Sequence, residues 1–209
     1  MGETTLTAQP QPISSEAAYL AFERASPIKH EYYNGHIYAM AGAKAAHNLI
    51  AGNTLATLHR QVRAKPCYVY PSDMRVKVLK TGLNTYPDVV VVCGQPQFTD
   101  AVEDTLINPL VIVEVLSPST ERYDRGMKFH HYRTIDSLRI YLLIAQDHCQ
   151  IEQFSRQENG LWLFQEVSDL HASLAIPPLD CALTLAEVYE KVTLPPDPPA
   201  LPRESPTEG

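Results

Sequence analysis

Hydrophobic and polar positions recur along this chain with two periods, and the places where the period changes mark its elements. Ser14-Ser-Glu-Ala-Ala-Tyr-Leu-Ala-Phe-Glu-Arg opens with capping serines and sets Ala18, Phe22 and Ala25 at helical spacing, which predicts a short amphipathic helix ended by Pro27. Asn34-Gly35 between aromatic-rich flanks signals a hairpin. Lys44 to Arg63 runs without proline and brings Leu49, Thr54, Leu55, Leu58 and Val62 to one side of a longer helix. Strands follow in Cys67-Tyr-Val-Tyr, Met74-Arg-Val-Lys-Val-Leu, Asp88-Val-Val-Val-Val and Leu110-Val-Ile-Val-Glu-Val-Leu. Asp124 to Arg133 predicts a helix with Met127, His131 and Ile135 on one face. Three more strands start at Leu138, Gln150 and Leu161, the last two joined through Glu158-Asn159-Gly160, and Leu183 to Val192 predicts a closing helix capped by Thr184. This order of elements implies a mixed sheet of α/β or α+β type without internal repeats.

The pattern fades at both ends. Residues 1–13 are polar and proline-containing and residues 194–209 are proline-dense, so both are expected to be disordered tails around one folded unit, residues 14–193. With 209 residues the chain can fill one core, and no apolar stretch approaches the roughly 20 residues of a membrane span. The start, Met1-Gly-Glu-Thr-Thr-Leu, lacks the basic and apolar regions of a signal peptide, so a cytoplasmic location is expected. Cys67, Cys93, Cys149 and Cys181 are scattered without a C-x-x-C pair, which argues against a disulfide framework or structural zinc and for reduced core fillers. A formal net charge of −7 offers no general footprint for nucleic acid. Arg60, Arg63, Lys65, Arg75, Lys77 and Lys80 form the basic-rich region, either a solvated face or a local groove on an acidic protein.

Two residues break the hydrophobic pattern. Asp88 opens one apolar run and Glu114 lies inside another, where a buried carboxylate is costly unless it is paired, hydrogen-bonded or bound to a metal. Adjacent strands roughly in register would bring both within reach of one hard divalent cation, with Lys128 supplying positive charge nearby. The bland reading is a pair of strand-end acids satisfied by backbone amides or arginine. Ser117, Ser119 and Thr120 have no paired base and fit helix caps or phosphate contacts, and His130-His131 fits a helix surface and core.

Together, Glu31-Tyr-Tyr-Asn-Gly-His-Ile, His47, Tyr86-Pro-Asp-Val-Val-Val-Val, Leu110-Val-Ile-Val-Glu-Val-Leu-Ser-Pro-Ser-Thr and Asp124-x-x-x-Lys128 resemble the putative restriction endonuclease family of Uma-two type, within the PD-(D/E)XK nuclease superfamily. The resemblance covers about residues 15–190 and implies a restriction-endonuclease-like mixed β-sheet flanked by helices, with an N-terminal helix-hairpin-helix region and added C-terminal strands. It implies a metal-dependent endonuclease acting on DNA, in which Asp88 and Glu114 hold Mg²⁺, or Mn²⁺ in its place, the backbone carbonyl of Val115 adds a ligand, and Lys128 orients or polarises water. The superfamily pattern places lysine two residues after the second acid, where this chain has Leu116. Lys128 would then be a displaced lysine, or else an exposed one paired with Asp124 at i, i+4. Glu31 is either a direct or water-mediated metal ligand or an exposed hairpin acid. His47 positions water or phosphate, or caps and packs its helix, and Asp73 serves the site or makes an Asx turn. A homodimer would suit cutting of two strands, though no stripe in the chain marks an interface. The rival reading is a catalytically degenerate nuclease fold that binds nucleic acid or a protein.

Overall fold

A computed structural model describes residues 10–195. Its first elements are β1 (Gln11–Pro12), α1 (Glu16–Ala25), the hairpin β2 (His30–Tyr33) and β3 (His36–Ala39), and α2 (Ala45–Val62). Then come β4 (Cys67–Pro71), β5 (Arg75–Val78), β6 (Leu83–Thr85), β7 (Val89–Cys93), β8 (Thr105–Leu106) and β9 (Val111–Leu116). The helical stretch that follows is α3 (Glu121–Tyr123), a π turn at Asp124–Lys128, and α4 (Phe129–Tyr132). The chain continues with β10 (Ile140–Ala145), β11 (Ile151–Arg156), β12 (Trp162–Val167), β13 (Ser173–Ile176), β14 (Cys181–Thr184) and α5 (Leu185–Val188).

The strands form two six-stranded sheets and a small hairpin where one mixed sheet was expected. The first sheet has the order β1-β3-β2-β6-β5-β8, the second β12-β11-β10-β9-β7-β4, and β13 pairs with β14. The acid-bearing strand β9 is central in the second sheet, antiparallel to β7 and parallel to β10. Alternation along these strands gives that sheet two apolar faces. Val89, Val91, Val111, Val113, Val115, Leu142 and Ile144 pack with Ile50, Leu58 and Val62 of α2 and with α5. On the other face Val90, Val92, Ile112, Leu116, Tyr141 and Leu143 meet Val76, Val78 and Leu83 of the first sheet and Tyr132 of α4. Both faces are covered, so the central strands carry nearly continuous hydrocarbon.

Several expectations change in detail. Ordered pairing begins earlier than expected, because Gln11 and Pro12 pair with Ile37 and His36; the expectations for residues 1–9 and 196–209 lie outside the described residues. Ser15 does cap α1, accepting from the Ala18 N–H at 3.1 Å, but the buried face of α1 is Tyr19 and Glu23, not Ala18, Phe22 and Ala25. In α2 the inward face runs through Ile50, leaving Leu49 exposed. The π turn adds a residue to one turn and shifts the later face, so Met127 is 53% exposed while His131 and Ile135 are buried. Leu183 belongs to β14, which shortens the closing helix to Leu185–Val188; the Thr184 hydroxyl donates to Glu187 at 2.5 Å. Cys67 and Cys93, expected to be reduced, form a disulfide, because the β4–β7 register sets them directly opposite each other. Cys149 and Cys181 are free thiols. Nor do the basic residues form one patch. Arg75 is buried, while Arg60, Lys65, Lys77 and Lys80 pair with Glu187, Asp180, Glu16 and Asp136. Among the described residues no helix is long and apolar enough to cross a membrane.

Candidate active site

The β7–β9 register pairs Val89 with Val113, so one further step sets Asp88 opposite Glu114 at the end of the strand pair. A proline disfavours helix at the residue before it, so Pro87 biases the chain toward the extended path that leads through Asp88 into β7. Asp88 is fixed from two sides. The Val115 N–H donates to its Oδ2 at 2.7 Å, and His47 Nε2 lies 2.9 Å from its Oδ1. His47 is the third residue of α2, which therefore braces the acid as well as covering the sheet.

Glu114 points into the space between the two sheets. Among the described residues both of its polar side-chain contacts fall on Oε1, from the Tyr132 hydroxyl at 2.7 Å and from Lys128 Nζ at 3.0 Å. Lys128 is buried and reaches back from the π turn, with Nζ 3.2 Å from Glu31 Oε1 and 3.4 Å from Asp124 Oδ1, above the Tyr123 ring at 5.8 Å. An exposed surface pair with Asp124 is thus not what forms: both partners are enclosed. The first sheet contributes Glu31 from β2 and Thr85 from β6, whose hydroxyl donates to Glu31. Of the residues singled out from sequence, Glu31, Glu114 and Lys128 thus meet between the sheets, and Asp88 with His47 adjoins them across the β7–β9 pair, near enough to act on the Glu114 charge. Asp73 does not join them. Its side chain is 85% exposed in the turn after β4 and pairs with Lys29 at 2.7 Å.

Three carboxylates, Glu31, Glu114 and Asp124, surround one lysine, and a fourth, Asp88, stands beside Glu114. Burial pushes the Glu114 carboxyl well above the usual carboxylate range; Lys128 pulls it back, while Asp124 and Asp88 push it further up. Asp124 is raised for the same first reason. Burial would lower the Lys128 ammonium, but Glu114, Glu31, Tyr132 and Asp124 outweigh it and hold the lysine well above its ordinary value. Lys128 is thus kept charged among these acids. Among the described residues no three His, Cys, Asp or Glu side chains form a closed ligand set. An opposed acid pair nonetheless suits Mg²⁺, which binds through one or two carboxylates and keeps several waters.

Thr85, Tyr123, Asp124 and Tyr132 complete the cleft, and sequence reading had not assigned them to it. Asp124 and Lys128 stand four apart, and that spacing was visible; the burial of the pair was not, because it depends on the π turn and on the first sheet. Tyr132 is placed by the same turn, and Thr85 by β6, a strand too short to show a period.

Comparison with known proteins agrees with this architecture. The profile of the family described as Uma2, Putative restriction endonuclease, matches residues 17–186. The uncharacterized protein sll1609 of Synechocystis sp. is 35% identical over 162 residues, which span 78% of this chain and 92% of that protein. A second Synechocystis protein, slr1290, also uncharacterized, is 35% identical over 154 residues, 74% of this chain and 80% of that one. A crystal structure of a putative nuclease of the DUF820 group from Anabaena variabilis shares the fold, with a TM-score of 0.68 at 16% identity over 83% of this chain and 96% of that one. The restriction-endonuclease-like α+β fold is therefore present, with its strands divided between two sheets. The chain belongs to the Uma2 family of putative restriction endonucleases.

Proposed function

We propose that this protein is a metal-dependent endonuclease that hydrolyses DNA phosphodiester bonds at the Asp88–Glu114 cleft. The observation that carries the reading is two opposed strand acids with a buried, charged lysine on one of them. Asp88 and Glu114 would hold Mg²⁺, with Mn²⁺ as a substitute and the Val115 carbonyl as a further ligand. When bound, the ion would offset phosphodiester charge and acidify water. The protein's own part is positioning. His47 and the Val115 N–H fix the rotation of the Asp88 carboxylate, and Tyr132 and Lys128 occupy Glu114 Oε1, which directs Oε2 to a ligand. Lys128 needs no proton uptake to stabilise negative charge as it builds on the phosphate, since its carboxylate neighbours already hold it as an ammonium. Glu31 and Asp124 keep Lys128 in place, and a phosphate oxygen would accept from the Lys128 ammonium in competition with them.

Incubation of the purified protein with supercoiled plasmid and Mg²⁺ tests this reading. Nicked and linear products are expected, with the rate reduced by at least about 100-fold in Asp88→Ala and abolished by chelator. Equal cleavage by wild type and Asp88→Ala would remove the assignment.

A further inference from the structure

The β2–β3 hairpin places one exposed aromatic ring beside the cleft. Glu31 pairs with Tyr38 and Tyr33 with His36 in that ladder, and directly opposed residues of an antiparallel pair share a face of the sheet. The face is identified twice, since Glu31 reaches Lys128 and Tyr33 packs edge-on against His131 with ring centroids 4.7 Å apart. Tyr38 therefore borders the acid cleft one strand further out than Glu31. There it is 38% exposed, unlike Tyr132, which is buried and spends its hydroxyl on Glu114.

The covalent path adds a second observation. From Tyr38 and Ala39, the end of β3, the chain crosses residues 40–44 and enters α2, whose third residue is the His47 that touches Asp88. One rim of the mouth thus runs from an open aromatic ring, past the exposed Lys44, to the histidine on the candidate metal-binding acid. A nucleic acid strand lying along this rim would present a phosphate to His47 and Lys44 and the neighbouring base to the ring. In duplex DNA that base is already stacked on its neighbours, and freeing it costs a few kcal/mol. An unpaired base has no such cost and can stack on any aromatic face.

We propose that Tyr38 is a stacking platform for an unpaired base next to the reacting phosphate, so that the cleft takes single-stranded DNA in preference to continuous duplex. This rests on the nuclease reading of the same site, and the experiment separates the two. Fluorescence anisotropy would give the Kd of the full-length protein for a fluorescein-labelled oligodeoxythymidylate and for a labelled duplex, in the wild type, Tyr38→Ala and Tyr38→Trp. The cleavage rate of the single strand with Mg²⁺ would be followed in parallel. Tyr38→Ala is expected to weaken single-strand binding by about 5-fold to 150-fold, with Tyr38→Trp restoring it and duplex binding unchanged. In cleavage the same variant should raise KM and leave kcat in place.

Equal single-strand affinity of wild type and Tyr38→Ala overturns the stacking role and leaves plasmid cleavage to stand or fall alone. Equal losses on single strand and duplex also overturn it, because a general contact would then be at work. Retained, Tyr38-dependent binding without cleavage upholds the platform and overturns the nuclease reading. No binding to either DNA by the wild type overturns both.

Discussion

The fold contains two enclosed polar networks built from similar parts, and they differ in charge balance. In the first, Glu23 of α1 accepts from the His30 N–H at 2.8 Å and the Tyr86 hydroxyl at 2.9 Å, and its other oxygen lies 3.0 Å from His30 Nδ1. Arg75 donates to the Tyr86 hydroxyl at 2.8 Å and to Thr105 at 2.9 Å, and pairs with Asp104 at 3.0 Å. Asp104 is also gripped by Arg24, which reaches Asp100 as well. Glu23, Asp100 and Asp104 thus lie among two guanidinium groups, Arg24 and Arg75, and the hydrogen-bonding His30. In the cleft, by contrast, three carboxylates share one buried lysine and a fourth, Asp88, meets a histidine. Enclosed charge is tolerable when neutralised locally, so the balanced network stabilises a junction and the unbalanced one leaves room for a cation. The two are chained together, since Tyr86, held between Glu23 and Arg75, stands two residues before Asp88.

The comparison predicts opposite responses to losing a charge. Removing the buried cation from the balanced network, in Arg75→Met, takes the donor from Tyr86 and Thr105 and leaves Asp104 with Arg24 alone, and it should cost about 3–5 kcal/mol of stability, the usual result of breaking a buried pair from one side. Urea unfolding measures it directly. A loss under about 1 kcal/mol would show that the network is not a closed charge system, and the contrast would fail.

Removing an acid from the cleft should do the reverse. With divalent ions absent, Glu114→Gln relieves like-charge repulsion and is expected to gain about 1 kcal/mol, whereas Glu23→Gln should lose stability. With Mg²⁺ in about 100-fold excess over its Kd, the wild type should gain about 2.7 kcal/mol, and Glu114→Gln should gain far less. Thermal melts with and without the ion separate the cases. A Glu114→Gln protein that is both less stable and still responsive to Mg²⁺ would mean that the acid is structural.

Much of the fold was legible in the sequence because its main elements are long enough to show a period. The hairpin at Asn34-Gly35, the helix Ala45–Val62 and the valine-rich strands β7 and β9 fall where the pattern puts them. Asp88 and Glu114 stood out because carboxylates violate a hydrocarbon pattern. The division into two sheets was not legible, because β1, β6 and β8 span only two or three residues and owe their pairing to tertiary contact. Arg75 read as part of a basic stretch since nothing local announces Tyr86, Thr105 and Asp104 as its partners. The disulfide was hidden for the same reason: its cysteines are 26 residues apart and meet only through the β4–β7 register.

The smallest expected effect concerns pH at the outer edge of the balanced network. Hydrogen bonds from Arg24 hold the Asp104 carboxyl well below the usual carboxylate range; partial burial works against this, and Thr105 and Arg75 assist. Its pKa is therefore lower in the folded chain than in the unfolded one, where an aspartate titrates near about 3.9. The folded state binds fewer protons, so the contribution to stability is complete above the unfolded value and disappears as pH falls through about 4 and below. The Asp104 side chain is 30% exposed, which limits the contribution to about 1 kcal/mol. Urea unfolding of wild type and Asp104→Asn should accordingly differ by about that amount at pH 6 and converge as the pH is lowered. A gap that persists undiminished into acid would mean that Asp104 acts through neutral hydrogen bonds to Arg24 and Thr105, and that charge balance is not what distinguishes this network from the cleft.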